Sequence, residues 1–123
     1  MIVVVNDEAR VREALCGVLE RAGYAVGAFA RGADALEAVT WPAVELVISD
    51  RTNIPMDGVE FVRRVRERSN VPVVVVSAWA HELEEQLRGT ALAGDDYVAV
   101  PFSLQNVVAR VESVLELRPA GAP

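Results

Sequence analysis

Cysteine is almost missing: the chain has 123 residues and one of them, Cys16. An internal disulfide is therefore impossible, and a reducing compartment suits the chain. Cys16 falls in a helical pattern and is expected to pack as a small core residue. Basic residues are also short, 12 against 18 acidic ones, for a formal charge of -6. Such a surface is a poor grip for nucleic acid, which needs clustered Lys and Arg against phosphate. A separate DNA-binding domain in a longer protein stays open. A basic leader is absent, since Met1 runs straight into I-V-V-V and reaches Asp7, so no signal peptide is read. Long hydrophobic runs are absent too. The longest, Val71 to Ala80, is broken by Pro72 and Ser77 and is too short to span a bilayer. The expected domain is cytoplasmic, with no membrane contact and no direct nucleic-acid contact of its own.

What is present is apolar mass. At 52% apolar residues, disorder is excluded, and the length suits one domain with one core. Apolar runs and amphipathic runs take turns. Ile2 to Val5 reads as a strand ending at Asn6-Asp7. Val11, Leu15, Val18, Leu19 and Ala22 follow at helical spacing, and Gly23 stops them. Ala25 to Phe29 is a weak strand. Leu36 and Val39 mark a short helix that ends before Pro42. Glu45 to Ser49 is a third strand, ending at Asp50. Val59, Phe61, Val62 and Val65 mark a helix from about Gly58 to Arg68. Val71 to Val76 is the fourth strand, Leu83 and Leu87 mark the fourth helix, and Tyr97 to Val100 is the fifth strand. Ser103 can cap a last helix with Leu104, Val107, Val108, Val111 and Leu115 on its apolar face.

Five β-α units with near-continuous apolar strands imply a parallel sheet covered on both faces, joined by right-handed crossovers. The expected class is α/β, a three-layer, doubly wound, flavodoxin-like sandwich with its site at the carboxyl ends of the strands. The domain is expected over residues 1–117. Residues 118–123, which lack any apolar period, read as a tail or the start of a linker.

Polar residues stand at those strand ends. Strand 1 ends in Asn6-Asp7-Glu8, strand 3 in Asp50 and strand 4 in Ser77. If strands 1 and 3 are neighbours, Asp7 and Asp50 converge, and a hard divalent cation relieves their repulsion. Ser77 could donate to a phosphate oxygen. Each of these residues also fits ordinary turn and cap chemistry, with Asp7 capping the first helix and Asp50 opening a loop. Spacing leaves both readings open.

Six stretches, in order, carry a family resemblance: I-V-V-V-N-D-E at 2–8, E-L-V-I-S-D at 45–50, M-D-G at 56–58, V-P-V-V-V-V-S-A at 71–78, G-D-D-Y at 94–97 and V-P-F at 100–102. Across almost its whole length the chain resembles the receiver domain of two-component response regulators. The resemblance implies five helices around a parallel sheet in the order 2-1-3-4-5. It implies that Asp50 takes a phosphoryl group from a sensor histidine kinase or phosphotransfer protein, forming an acyl phosphate. It also implies Mg2+ held by Asp7, Asp50 and the backbone carbonyl of Thr52, with Asn6 reaching it through a water. Ser77 and Tyr97 match the hydroxyl and aromatic residues that move on activation. The output would be a population shift of the face made by helix 4, strand 5 and helix 5, which can also form a homodimer.

The chain departs from the pattern in four places. Asn6 replaces the first acid of the usual pair. Val100 replaces the lysine before the strand 5 proline. Asn53 and Ile54 occupy the Met-Pro positions of the acceptor loop, with Pro55 one step late. Trp79 follows Ser77 by two, either covering the site or filling the loop as a bulky residue. The first two changes cancel in charge. Three acids and one lysine sum to -2, as do Asp7 and Asp50 alone, so Mg2+ binding is expected to survive in weakened form. Arg51 is a candidate replacement cation, but alternation points neighbours on an extended segment to opposite sides. The Val100–Pro101 bond is expected to be cis, as its equivalent is in the family.

Two functions follow: a working phosphoacceptor that is not otherwise an enzyme, or a receiver-like interaction module acting without phosphorylation. Flavin binding is disfavoured because no Gly/Ser/Thr-rich phosphate loop follows strand 1. A phosphohydrolase with an Asp nucleophile would want an acid where Thr52 stands.

Overall fold

In a computed structural model, residues 1–50, 58–77, 96–99 and 103–116 are described. The expected fourth helix around Leu83 and Leu87, the acceptor loop with Arg51, Thr52, Asn53, Ile54 and Pro55, and Trp79, Val100, Pro101 and the tail lie outside these residues.

Five strands form one parallel sheet: β1 (Ile2–Val5), β2 (Val26–Phe29), β3 (Leu46–Asp50), β4 (Val73–Ser77) and β5 (Asp96–Ala99), in the order β2-β1-β3-β4-β5. That is the expected order. Among the described residues four α-helices accompany it: α1 (Ala9–Arg21), α2 (Gly32–Ala38), α3 (Gly58–Arg68) and a C-terminal helix, Leu104–Glu116.

The β-branched strands point alternate residues to opposite faces, and two of the described helices pack on each face. Val3, Val5, Val47, Val73 and Val75 pack with Ala35 and Leu36 of α2 and with Phe61, Val62 and Val65 of α3. Ile2, Val4, Leu46, Ile48, Val74 and Val76 pack with Leu15 and Leu19 of α1 and with Val107, Val111 and Val114 of the C-terminal helix. Val114 completes a stripe that the sequence marks with Leu115, a partly buried residue. Cys16 sits half-buried against this second cluster, and burial raises its thiol pKa.

Element ends follow local chemistry. α1 stops at Gly23, whose φ of 101° lies in the left-handed region that glycine adopts without strain. α2 ends at Ala38, before Pro42 as expected, but Val39, read as part of its apolar face, turns extended at ψ 148° and lies outside it, and a 3₁₀ turn, Trp41–Ala43, follows. Pro42 has no N–H with which to continue the α2 ladder, and it is tolerated in the first turn of the 3₁₀ helix. β4 starts at Val73, two residues later than its apolar run, since Pro72 has no N–H to give the ladder; its carbonyl still accepts from Val47 at 2.9 Å. On α3, Glu60 pairs with Arg63 and Arg64, which hold its carboxyl down at about 2. This exposed lacing adds little stability.

The expected cap on the last helix is present. Ser103 Oγ accepts the Asn106 N–H at 3.0 Å, and the Ser103 carbonyl accepts the Val107 N–H at 3.2 Å. Ser103→Ala is expected to cost about 1 kcal/mol. Urea titration of the two proteins checks this, and an unchanged midpoint would show that the cap contributes nothing net.

Candidate functional site

The register brings the polar strand ends into one row. Val5 pairs with Phe29 on one side and Ser49 on the other, Asp50 pairs with Val76, and Ser77 pairs with Ala99. Asn6 extends the β1 ladder by one step, its N–H donating to the Phe29 carbonyl at 3.1 Å. It therefore stands level with Asp50 on the adjacent strand. Strict alternation puts both on the sheet face covered by α1 and the C-terminal helix. Ser77 stands one residue beyond the level of Asp50 on β4, and Tyr97 pairs with Val75 on β5. The sheet order reverses between β1 and β3, and the crevice of a doubly wound sheet opens at such a reversal.

Asp50 is half-buried and Asp7 exposed, while Asn6 is 6% exposed. The Ser49 hydroxyl, fully buried, donates to the Asp50 carbonyl at 2.9 Å.

Asn6 is tied down at several atoms. Its Oδ1 accepts the Glu8 N–H at 2.9 Å, an Asx turn that leads into α1. Its main-chain carbonyl accepts Nη1–H of Arg12 at 2.8 Å. Glu8 occupies the N-cap position without a side-chain cap bond. Asp7 is thus not the cap of α1; the Asn6 amide supplies the turn instead. The family pattern assigns Asn6 a water-mediated metal role alone and assigns Arg12 none. One signal was available: two arginines, Arg10 and Arg12, in the first turn of a helix, where the macrodipole disfavours cations.

Asp7 and Asp50 supply hard carboxylate oxygens from adjacent strand ends. Among the described residues there is no cluster of three or more His, Cys, Asp or Glu. Two carboxylates fit a cation that keeps several waters, as Mg2+ does, rather than one held in an all-protein cage. No helix among the described residues is long and apolar enough to cross a membrane.

Known proteins carry the same organisation. The family model for the response regulator receiver domain matches residues 2–112. The chain is 34% identical to the transcriptional regulatory protein ResD of Bacillus subtilis over 93% of its own length and 47% of that protein. It is 38% identical to the transcriptional regulatory protein CseB of Streptomyces avermitilis over 93% of its own length and 48% of that protein. The chain thus spans about half the length of these relatives. Among solved structures, the non-phosphorylated HemR receiver domain from Leptospira biflexa superposes with a TM-score of 0.83 at 27% identity, over 96% of each chain. Sheet order, the row of polar strand ends and the family match agree, and the chain belongs to the response regulator receiver domains of two-component systems.

Proposed function

We propose that Asp50 is the phosphoacceptor and that the chain works as a phosphorylatable receiver in the cytoplasm. The observation that carries this is the register: Asp50 ends the central strand, half-buried, beside the β1 end that bears Asp7. A carboxylate oxygen of Asp50 attacks the phosphorus of a phosphohistidine on a sensor kinase or phosphotransfer protein. The P–N bond breaks, its electron pair goes to the imidazole nitrogen, and an acyl phosphate remains on Asp50. Asp7, Asp50 and the Thr52 carbonyl would hold Mg2+, with Asn6 reaching it through a water. Bound there, it would supply charge neutralisation for the incoming phosphoryl oxygens. The protein's part is to aim Asp50 and keep the strand ends aligned. Beyond promoting its own phosphorylation and dephosphorylation, the domain is not an enzyme.

Ser77 and Tyr97 are the switch pair. The alignment of Ser77 one step past Asp50 supports the first, and the place of Tyr97 on the neighbouring edge strand supports the second. The output surface is the face made by the fourth expected helix, β5 and the C-terminal helix, through which two copies pair.

Incubation with Mg2+ and acetyl phosphate or phosphoramidate, followed by intact mass measurement, tests the assignment. A single phosphate adduct on the native chain and none on Asp50→Asn is expected. An adduct that persists in Asp50→Asn would move the acceptor elsewhere. No adduct on either protein, with no beryllofluoride complex, would leave an interaction module that works without phosphate.

A further inference from the structure

Three hydrogen bonds close a circuit around Asp7. The Glu8 N–H donates to Asn6 Oδ1 at 2.9 Å. The Arg12 N–H donates to the Glu8 carbonyl at 2.9 Å. The Arg12 guanidinium returns to the Asn6 carbonyl at 2.8 Å. Asp7 is the one residue between Asn6 and Glu8, so both of its flanking residues are fixed by Arg12 directly or at one remove.

Arg12 is an expensive choice for this position. It lies in the first turn of α1, which contains no acidic residue, against the positive end of the helix dipole. Arg12 is half-buried, and its guanidinium bonds a main-chain carbonyl and makes no ion pair with a carboxylate among the described residues. All 12 basic residues are arginines. A cationic N–H donor on a long side chain can reach that carbonyl and hold it by a charge-assisted bond.

The geometry points to Arg12 as a positioning residue for the cation site: it clamps the turn between β1 and α1 so that the Asp7 carboxylate faces Asp50. This rests on the reading of Asp7 and Asp50 as Mg2+ ligands. The clamp is an outer contact to a ligand-bearing segment, and loss of such contacts commonly weakens metal affinity by about 10- to 100-fold.

The sign of the effect separates the clamp from a bare charge. Removing a nearby positive charge strengthens cation binding. Removing a clamp weakens it. Mg2+ affinity is measured by calorimetry on the native chain, Arg12→Gln and Arg12→Lys, and the hydrogen-exchange protection of the Glu8 amide is measured by NMR without metal. Expected are affinity weakened about tenfold or more in Arg12→Gln, most of it recovered in Arg12→Lys, and faster Glu8 exchange in Arg12→Gln at unchanged exchange of the β3 amides. Equal or tighter Mg2+ binding by a folded Arg12→Gln overturns the proposal, and so does unchanged Glu8 exchange. If the native chain binds no Mg2+, the cation reading fails, and Arg12 then has no ligand to position.

Discussion

Asn6→Asp is expected to tighten Mg2+ binding by about tenfold or more. A third carboxylate would stand level with Asp50 on the adjacent strand. A unit charge near a divalent cation contributes a few kcal/mol at the effective dielectric of a protein surface, and about 1.4 kcal/mol already makes a factor of ten. The substitution should leave the fold intact. Asn6 Oδ1 acts as an acceptor for the Glu8 N–H, and a carboxylate oxygen accepts that bond at least as well. The main-chain carbonyl held by Arg12 is unchanged. Tryptophan fluorescence can follow the titration, with Trp41→Phe as background. Trp41 lies on the turn leading into the amino end of β3, away from the carboxyl ends, so the remaining signal comes from Trp79, two residues past Ser77. Equal affinities in the native chain and Asn6→Asp would mean that residue 6 does not face the cation.

Phe61→Ala is expected to cost about 3–5 kcal/mol, a large share of the roughly 5–15 kcal/mol that holds such a domain together. Phe61 is completely buried and joins α3 to the sheet face built from Val3, Val5, Val47, Val73 and Val75. Its ring also lies against Gly32 at the start of α2. A Cβ on Gly32 would come within 2.6 Å of Phe61 Cδ1 and 3.1 Å of Cε1. Gly32→Ala must therefore push a packed ring off its position, at about 1–3 kcal/mol. The two substitutions should not add. In the double variant the new methyl enters the space the ring vacated, and the total cost falls below the sum. Urea denaturation of the three variants measures this, and strict additivity would show that Gly32 and Phe61 do not share a contact surface.

The alternation of elements was legible because each half of it is a local property. Buried parallel strands need runs such as I-V-V-V, and helices on a sheet need apolar residues every three or four positions. The Ser103 cap was legible for the same reason: donor and acceptor are three residues apart. The end of α2 was less so, because Val39 can continue a helix or leave it, and the 3₁₀ turn at Trp41–Ala43 decided the matter. Gly32 gave no warning. Its requirement comes from a ring on α3, which no periodicity connects to it. Arg12 is a similar case, since its bond to Asn6 depends on how tightly the Asx turn folds the chain back.

The sequence by itself determined the residue types at the strand ends, the two-faced packing of the strands and the family to which the chain belongs. Those follow from side-chain chemistry read along the chain. Only the tertiary structure decided the register of β1 against β3, the shared level of Asn6 and Asp50, and the hydrogen-bond circuit around Asp7. β1 and β3 are separated by α1, β2 and α2, and their hydrogen bonds run between backbones, which carry no residue identity. Which strand ends meet is set by the covering of both sheet faces with helices, and that is a property of the assembled layers.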